Sequence, residues 1–264
     1  MRFFVESIGL LGPGLAGWHA SKAVLLGTAP HISADVPLPA PELLPAAERR
    51  RTGLPVRLAI AAGLDALAHS TRRGETLASV FTSSGGDGQV VHEICETLAS
   101  AERRVSPTRF HNSVHNAPAG YWCIALHAHL ASTSLCAFDW SFAAGLLEAG
   151  AQCVVDRAAV LLVSYDLPDP EPLRSKVRVG GTVGAALLLV PERTRDALVG
   201  IELKIEPRAA APTRMEQSSL ETLRAGNPTG RALPLLRALA APAATTILME
   251  YLSGSTLNVE IRAI

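Results

Sequence analysis

Two stretches of this 264-residue chain hold side chains that could do covalent or metal chemistry. The first is Ser132-Thr133-Ser134, with Cys136 just beyond it. It leads into an apolar helical run, Leu135–Ala149, that Gly150 closes. A nucleophile at the start of a helix is chemically favoured, because the dipole and the free N–H groups lower its pKa. A threonine hydroxyl with no adjacent base gains little, since its pKa stays far above neutral. Cys136 is the alternative nucleophile, although free cysteine is among the most buried residue types. The second stretch is Ser106–Trp122. Its His111-x-x-x-His115, with Cys123 beyond, has the donor types of a metal site. Pro107, Asn112 and Pro118 argue against a helix there, and neither H-E-x-x-H nor paired cysteines are present. These read as hydrogen-bonded loop histidines, so no metal and no other cofactor is expected.

Acid–base partners are sparse. The chain has eight histidines, and none follows His129. His127 and His129 fall on a predicted apolar helix, Tyr121–Leu130, where packing or interface roles outweigh catalysis. No G-x-S-x-G elbow exists, which excludes the usual serine-hydrolase arrangement. Asp139 has no second acid placed near it in sequence. Asp139 is expected to cap or pair locally.

The 24 basic and 24 acidic residues cancel, and the densest basic cluster is only Arg49-Arg50-Arg51. A nucleic-acid partner is therefore not expected. No apolar run reaches the ~18 residues of a membrane span, and the first residues lack the pattern of a signal peptide. A cytoplasmic location follows as an expectation. Cys95, Cys123, Cys136 and Cys153 are scattered among apolar residues and form no C-x-x-C, so they read as reduced core residues.

The elements that must position these groups follow from periodicity. Phe3–Leu11 is a strand that ends in Gly12-Pro13-Gly14. Gly17–Leu26 is a short helix with Trp18, and the proline-rich His31–Pro45 is an irregular loop. Apolar residues from Pro55 recur at helical spacing until Arg73-Gly74. Leu77–Ser83 is a buried strand that meets Ser84-Gly85-Gly86-Asp87-Gly88 and a helix from Gln89. That loop lacks G-x-G-x-x-G and a following Gly-Lys-Ser/Thr, so it reads as a plain βα turn. Ser106–Phe110 is extended. Val154–Tyr165 is β-rich, Ala185–Val190 and Leu198–Glu206 are strands, and Ala209–Asn227 is a polar linker. Ala232–Leu239 is a helix, and the chain ends in a hairpin around Ser253-Gly254-Ser255. Alternating α and β elements with apolar strands predict a layered α/β fold.

The order of elements resembles the thiolase-like fold of β-ketoacyl synthases. Its marks are Val80-Phe81-Thr82-Ser83-Ser84-Gly85-Gly86 and Ser106-Pro107-Thr108-x-Phe110-x-Asn112-Ser113-Val114-x-Asn116-x-x-Ala119-Gly120-Tyr121-Trp122. Leu161-Leu162-Val163-Ser164-Tyr165-Asp166 and Gly180-Gly181-x-x-Gly184-Ala185-Ala186-Leu187 follow in order. The likeness is to short ketosynthase-like proteins of aryl-polyene-type clusters, which act as chain-length-factor-like subunits. It implies one thiolase-like unit over 1–264, with a complete first half, 1–175, and a shortened second half, 176–264.

The resemblance also implies where the chemistry should be. A ketosynthase helix runs about five turns from its nucleophilic cysteine to a glycine. Counted back from Gly150, that length places the nucleophile position near Thr133, within Ser132–Ser134. The family's catalytic histidines come from the second half, where this chain has none. The implied function is a non-catalytic partner of an active β-ketoacyl synthase, serving an acyl chain carried by acyl carrier protein. Phe110, Asn116, Tyr121, Trp122 and Phe138 are expected to face that partner or the acyl tunnel, since aromatic residues concentrate where partners bury apolar surface. Two alternatives remain. One is a divergent acyltransferase that uses Cys136, and the other is a homodimeric scaffold.

Overall fold

Runs of apolar residues too short for a core helix become the centre of a sheet. The computed structural model describes every residue except Arg178 and Pro242. In chain order it has β1 (Arg2–Gly12), β2 (Leu15–Ala16), α1 (Trp18–Leu25), α2 (Ala46–Arg49), α3 (Leu54–Leu67) and β3 (Ala78–Thr82). Then come α4 (Gly88–Ala99), α5 (Pro107–Asn112), α6 (Ala117–Leu126), β4 (Ser132–Leu135), α7 (Ser141–Val155) and β5 (Val160–Asp166). The rest is β6 (Val183–Val190), β7 (Val199–Glu206), α8 (Ser218–Gly226), α9 (Leu233–Ala240), β8 (Thr245–Tyr251) and β9 (Ser255–Arg262). Among the described residues these strands form one sheet in the order β4-β3-β5-β6-β1-β7-β9-β8, with β2 paired to β1.

β5 and β6 are buried at every position, as continuous apolar strands covered on both faces must be. The alternation of side chains sorts them into two layers. Leu161 and Val163 face a cluster with Ala59 and Ala62 of α3 and Tyr121 and Trp122 of α6. Val160 and Leu162 face the opposite cluster, with Phe142 and Leu146 of α7 and Leu235 and Leu236 of α9. The result is helix layer, mixed sheet, helix layer. Two glycines permit the close approach of α3. A Cβ on Gly9 would sit 2.1 Å from the Ala62 carbonyl, and one on Gly63 would sit 2.6 Å from the Trp122 ring.

The sheet has two characters. β4, β3 and β5 are parallel, and every other pairing is antiparallel. β6, the first strand after residue 176, lies between β5 and β1, so the sheet runs across that point without a break. On β7 and β9 the face away from α9 carries a charge ladder. Arg2 pairs with Glu202 at 3.1 Å, Arg262 with Glu202 at 2.5 Å, and Lys204 with Glu260 at 2.7 Å.

Several local expectations change. Ser106–Phe110 is not extended, because Pro107 occupies the first turn of α5, where its missing N–H costs nothing. α6 stops at Leu126, and His127 adopts a left-handed conformation (φ 52°), so His127 and His129 lie beyond the helix. α7 continues past Gly150 to Val155, taking in part of the expected β-rich run. Gly150 is a contact point and not a stop, since a Cβ there would meet Phe3 at 2.5 Å. The polar stretch read as a linker contains α8, anchored by the buried Leu220 and Leu223.

Candidate functional site

The parallel strands β3, β4 and β5 end on the same side of the sheet. In open α/β sheets ligands bind beyond the carboxyl ends of such strands. A cavity of about 630 Å³ lies there. Ser84 and Gly85 line it from the turn after β3, and Phe138 and Asp139 from the turn after β4. Leu173 and Val177 come from the segment after β5, and Val91 from α4.

The turn after β4 is a sharp strand-to-helix elbow. Phe138 stands at its apex with φ 49° and is 75% exposed. That conformation costs an ordinary residue roughly 1–2 kcal/mol, so the surroundings must hold it. The buried Ser141 hydroxyl accepts from the Ala137 N–H at 3.0 Å and donates to the Phe138 carbonyl at 2.6 Å. Thr82 Oγ1 donates to the Ser141 carbonyl at 2.9 Å. Asp139 does not pair locally as expected. Its partner is Arg231, at 3.0 Å and 92 positions along the chain, which also holds Glu250 of β8.

A second node ties the cavity loops together. Asp166, at the end of β5, is buried and accepts four hydrogen bonds. Ser84 donates from its N–H at 2.8 Å and its hydroxyl at 2.6 Å. Thr229 donates from its N–H at 3.0 Å and its hydroxyl at 2.7 Å. Burial raises the Asp166 carboxyl to about 6, and the four donors pull against that rise. Sequence reasoning quoted Ser84 and Asp166 as motif residues but missed that they meet. The polar residues closing two apolar strands were the available signal.

The structure separates the expected site residues. Ser132, Thr133 and Ser134 lie within β4, paired in register with Ser79, Val80 and Phe81, and not at a helix start. Ser132 Oγ accepts from Ser79 Oγ at 2.9 Å, and Thr133 Oγ1 accepts from Gln152 Nε2 at 2.9 Å. α7 starts only at Ser141, so a five-turn span counted back from Gly150 leaves the helix and ends in β4, while the elbow apex is Phe138. Cys136 is an exposed free thiol, contrary to the burial expected, and α7 begins only at Ser141. Cys95 is exposed and Cys123 half-buried, so of the four cysteines only Cys153 is a core residue. Phe110 and Asn116 are exposed. Tyr121 and Trp122 are core residues of this chain and do not reach a surface. Tyr121 donates to Asn112 Oδ1 at 3.0 Å, and Trp122 packs edge-on to Phe81 in the space Gly63 leaves. His115 Nε2 sits 3.3 Å from the Ser83 carbonyl. Among the described residues no group of three His, Cys, Asp or Glu could hold a metal ion, and no helix is long and apolar enough to cross a membrane.

A sequence model of the β-ketoacyl synthase N-terminal domain matches residues 18–248. The chain belongs to the β-ketoacyl synthase N-terminal domain family. Solved ketosynthase-type structures share its thiolase-like fold. One is the ketosynthase ApeO in complex with its chain length factor ApeC, from Xenorhabdus doucetiae. The match is 22% identical, has a TM-score of 0.74, and covers 98% of this chain and 99% of that one. The ishigamide ketosynthase/chain length factor is 15% identical with a TM-score of 0.74, and each chain is covered at 100%. A chain of the AntDE:AntF complex, an acyl-carrier protein with its ketosynthase bound to the hexaketide, is 13% identical with a TM-score of 0.74. It covers 100% of this chain and 99% of that one. No curated protein sequence matches this member of the ketosynthase family.

Proposed function

We propose that this member of the β-ketoacyl synthase N-terminal domain family is a chain-length-factor-like subunit without ketosynthase chemistry of its own. It pairs with an active β-ketoacyl synthase in type II polyketide biosynthesis of the aryl-polyene kind. There it helps shape the pocket that receives an acyl chain from acyl carrier protein. The observation that carries this reading is Phe138 at the elbow apex, where strand, turn and helix would present a nucleophile. A phenyl ring forms no thioester. The lack of any histidine after His129 adds to it, because decarboxylation and oxyanion stabilisation need such donors. Two similar structures, a ketosynthase with its chain length factor and a ketosynthase with acyl-carrier protein, are assemblies of this kind. The outer edge of β4 ends the sheet, and exposed Ile124 on α6, which packs on β4, and Leu130, just before that strand, suit a partner surface.

Two measurements test this. Co-expression with an active ketosynthase of the same cluster should give a stable one-to-one complex on size-exclusion chromatography. The chain alone, incubated with acyl-loaded acyl carrier protein, should show no acyl adduct by mass spectrometry. An adduct on Cys136 would overturn the reading and favour the acyltransferase alternative. A homodimer that ignores the ketosynthase would favour the scaffold.

A further inference from the structure

We propose that Leu167–Val177 is a hinged lid over the cavity, latched where Asp169 seats on the first residue of α4. The segment leaves β5 at Asp166, which four hydrogen bonds hold in place. The chain is fixed again at Gly180, whose N–H donates to the Gly226 carbonyl at 2.6 Å. Gly181, next to it, is held too, its carbonyl accepting from Asn227 Nδ2 at 3.0 Å. Between these anchors the segment bonds to itself. Arg174 donates from its N–H to the Pro170 carbonyl and from Nε to the Asp169 carbonyl, both at 2.9 Å. Lys176 and Val177 donate their N–H groups to the Leu173 carbonyl, both at 2.8 Å. Among the described residues the one hydrogen bond that joins Leu167–Val177 to the rest of the protein runs from the Val179 N–H to the Val177 carbonyl at 3.1 Å, at the segment's far end, while Leu167 packs on the core at its near end.

Pro168, Pro170 and Pro172 alternate along the arm and lock its φ angles. A stiff, self-bonded segment with fixed ends moves as one body. It supplies Asp169, Leu173, Lys176 and Val177 to the cavity wall, so lifting it opens the cavity. The latch is a close steric fit. A Cβ on Gly88 would lie 1.8 Å from Asp169 Oδ1, so any side chain there must push the carboxylate out of its seat. The lid does not depend on what the chain partners.

The same geometry supplies the test. The ideal Gly88 Cβ lies 3.7 Å from Asp169 Cβ, within the roughly 3.5–4.5 Å that a disulfide bridges. A Gly88→Cys/Asp169→Cys variant is made in a Cys95→Ser, Cys136→Ser background, and trypsin cleavage after Arg174 and Lys176 is followed by peptide mass. Oxidation should slow cleavage about tenfold or more relative to the reduced form, because cleavage follows the population of the open state. Gly88→Ala, which displaces Asp169, should speed cleavage by a similar factor over wild type. Equal rates in the oxidised and reduced forms overturn the proposal, as does a Gly88→Ala rate equal to that of wild type.

Discussion

Asp166→Asn tests the node that joins the cavity loops. The carboxylate accepts from two backbone N–H groups and two hydroxyls. An asparagine keeps one acceptor oxygen and turns its NH2 towards the donors of either Ser84 or Thr229. The hydroxyl there can rotate away, but the backbone N–H cannot. Leaving it unpaired in the core costs about 1–3 kcal/mol, and removing a buried charge whose desolvation outweighs its donors offsets part of that. The expected net cost near pH 8 is about 1 kcal/mol. The pH dependence has a definite sign. Burial raises the folded carboxyl to about 6 from an ordinary value of 3.8. A raised folded pKa gives stability that is complete below the unfolded value and is lost as pH rises through the folded one. Wild type should therefore gain on the variant as pH falls from 8 to 5. The gain is about tenfold in the unfolding equilibrium, or a little over 1 kcal/mol. Urea unfolding of both proteins at pH 8, 7, 6 and 5 measures the gap, with groups common to both cancelling. A gap that narrows on acidification would refute the reasoning, because it would mean that the four donors outweigh desolvation.

Three further outcomes follow from local geometry. Gly63→Ala drives a methyl into the Trp122 ring and should cost about 2 kcal/mol, while Gly120→Ala, with nothing within 4 Å of its Cβ, should stabilise α6 by about 1 kcal/mol; chemical denaturation compares them. Phe138→Gly should be neutral or stabilising by about 1 kcal/mol, since the ring is mostly exposed and the backbone strained, and a loss above that in thermal unfolding would show that the ring packs. With a thiol-reactive chromophore, exposed Cys95 and Cys136 should react quickly. Cys153, buried and with its thiol pushed up to about 12, should react only on unfolding.

Much of the fold was legible because its signals are local. The largely apolar β5 and β6, the strand of β1 and the terminal hairpin each follow from periodicity or turn chemistry. The site was less legible, because its marks depend on neighbours far away in sequence. Gly150 reads as a helix stop, but Phe3 on another strand explains it, and the elbow apex is Phe138, not Thr133. The aromatic pair Tyr121–Trp122 reads as a partner face until Gly63 of α3 is seen to make room for it. His127 ends α6 in a left-handed conformation without a glycine to announce it. The Asp166 node depends on Thr229, whose neighbourhood no local pattern marks.

The place of β1 in the sheet has a consequence for how the chain is made. Phe4 is registered with Val190 and Arg2 with Glu202, so β1 finds both of its long neighbours only among strands synthesised well after it. On a ribosome, β1 must remain unpaired over all but its last residues, which meet β2, while the parallel strands that form the cavity are already present. Closing so long a loop is slow, because its entropy is spent before any contact repays it. A nascent chain interrupted near residue 175 would hold the elbow and the lid's first hinge, yet would lack both strands that bury β1. Its apolar Phe3–Leu11 would then be an open edge, the kind of surface that chaperones and aggregation compete for.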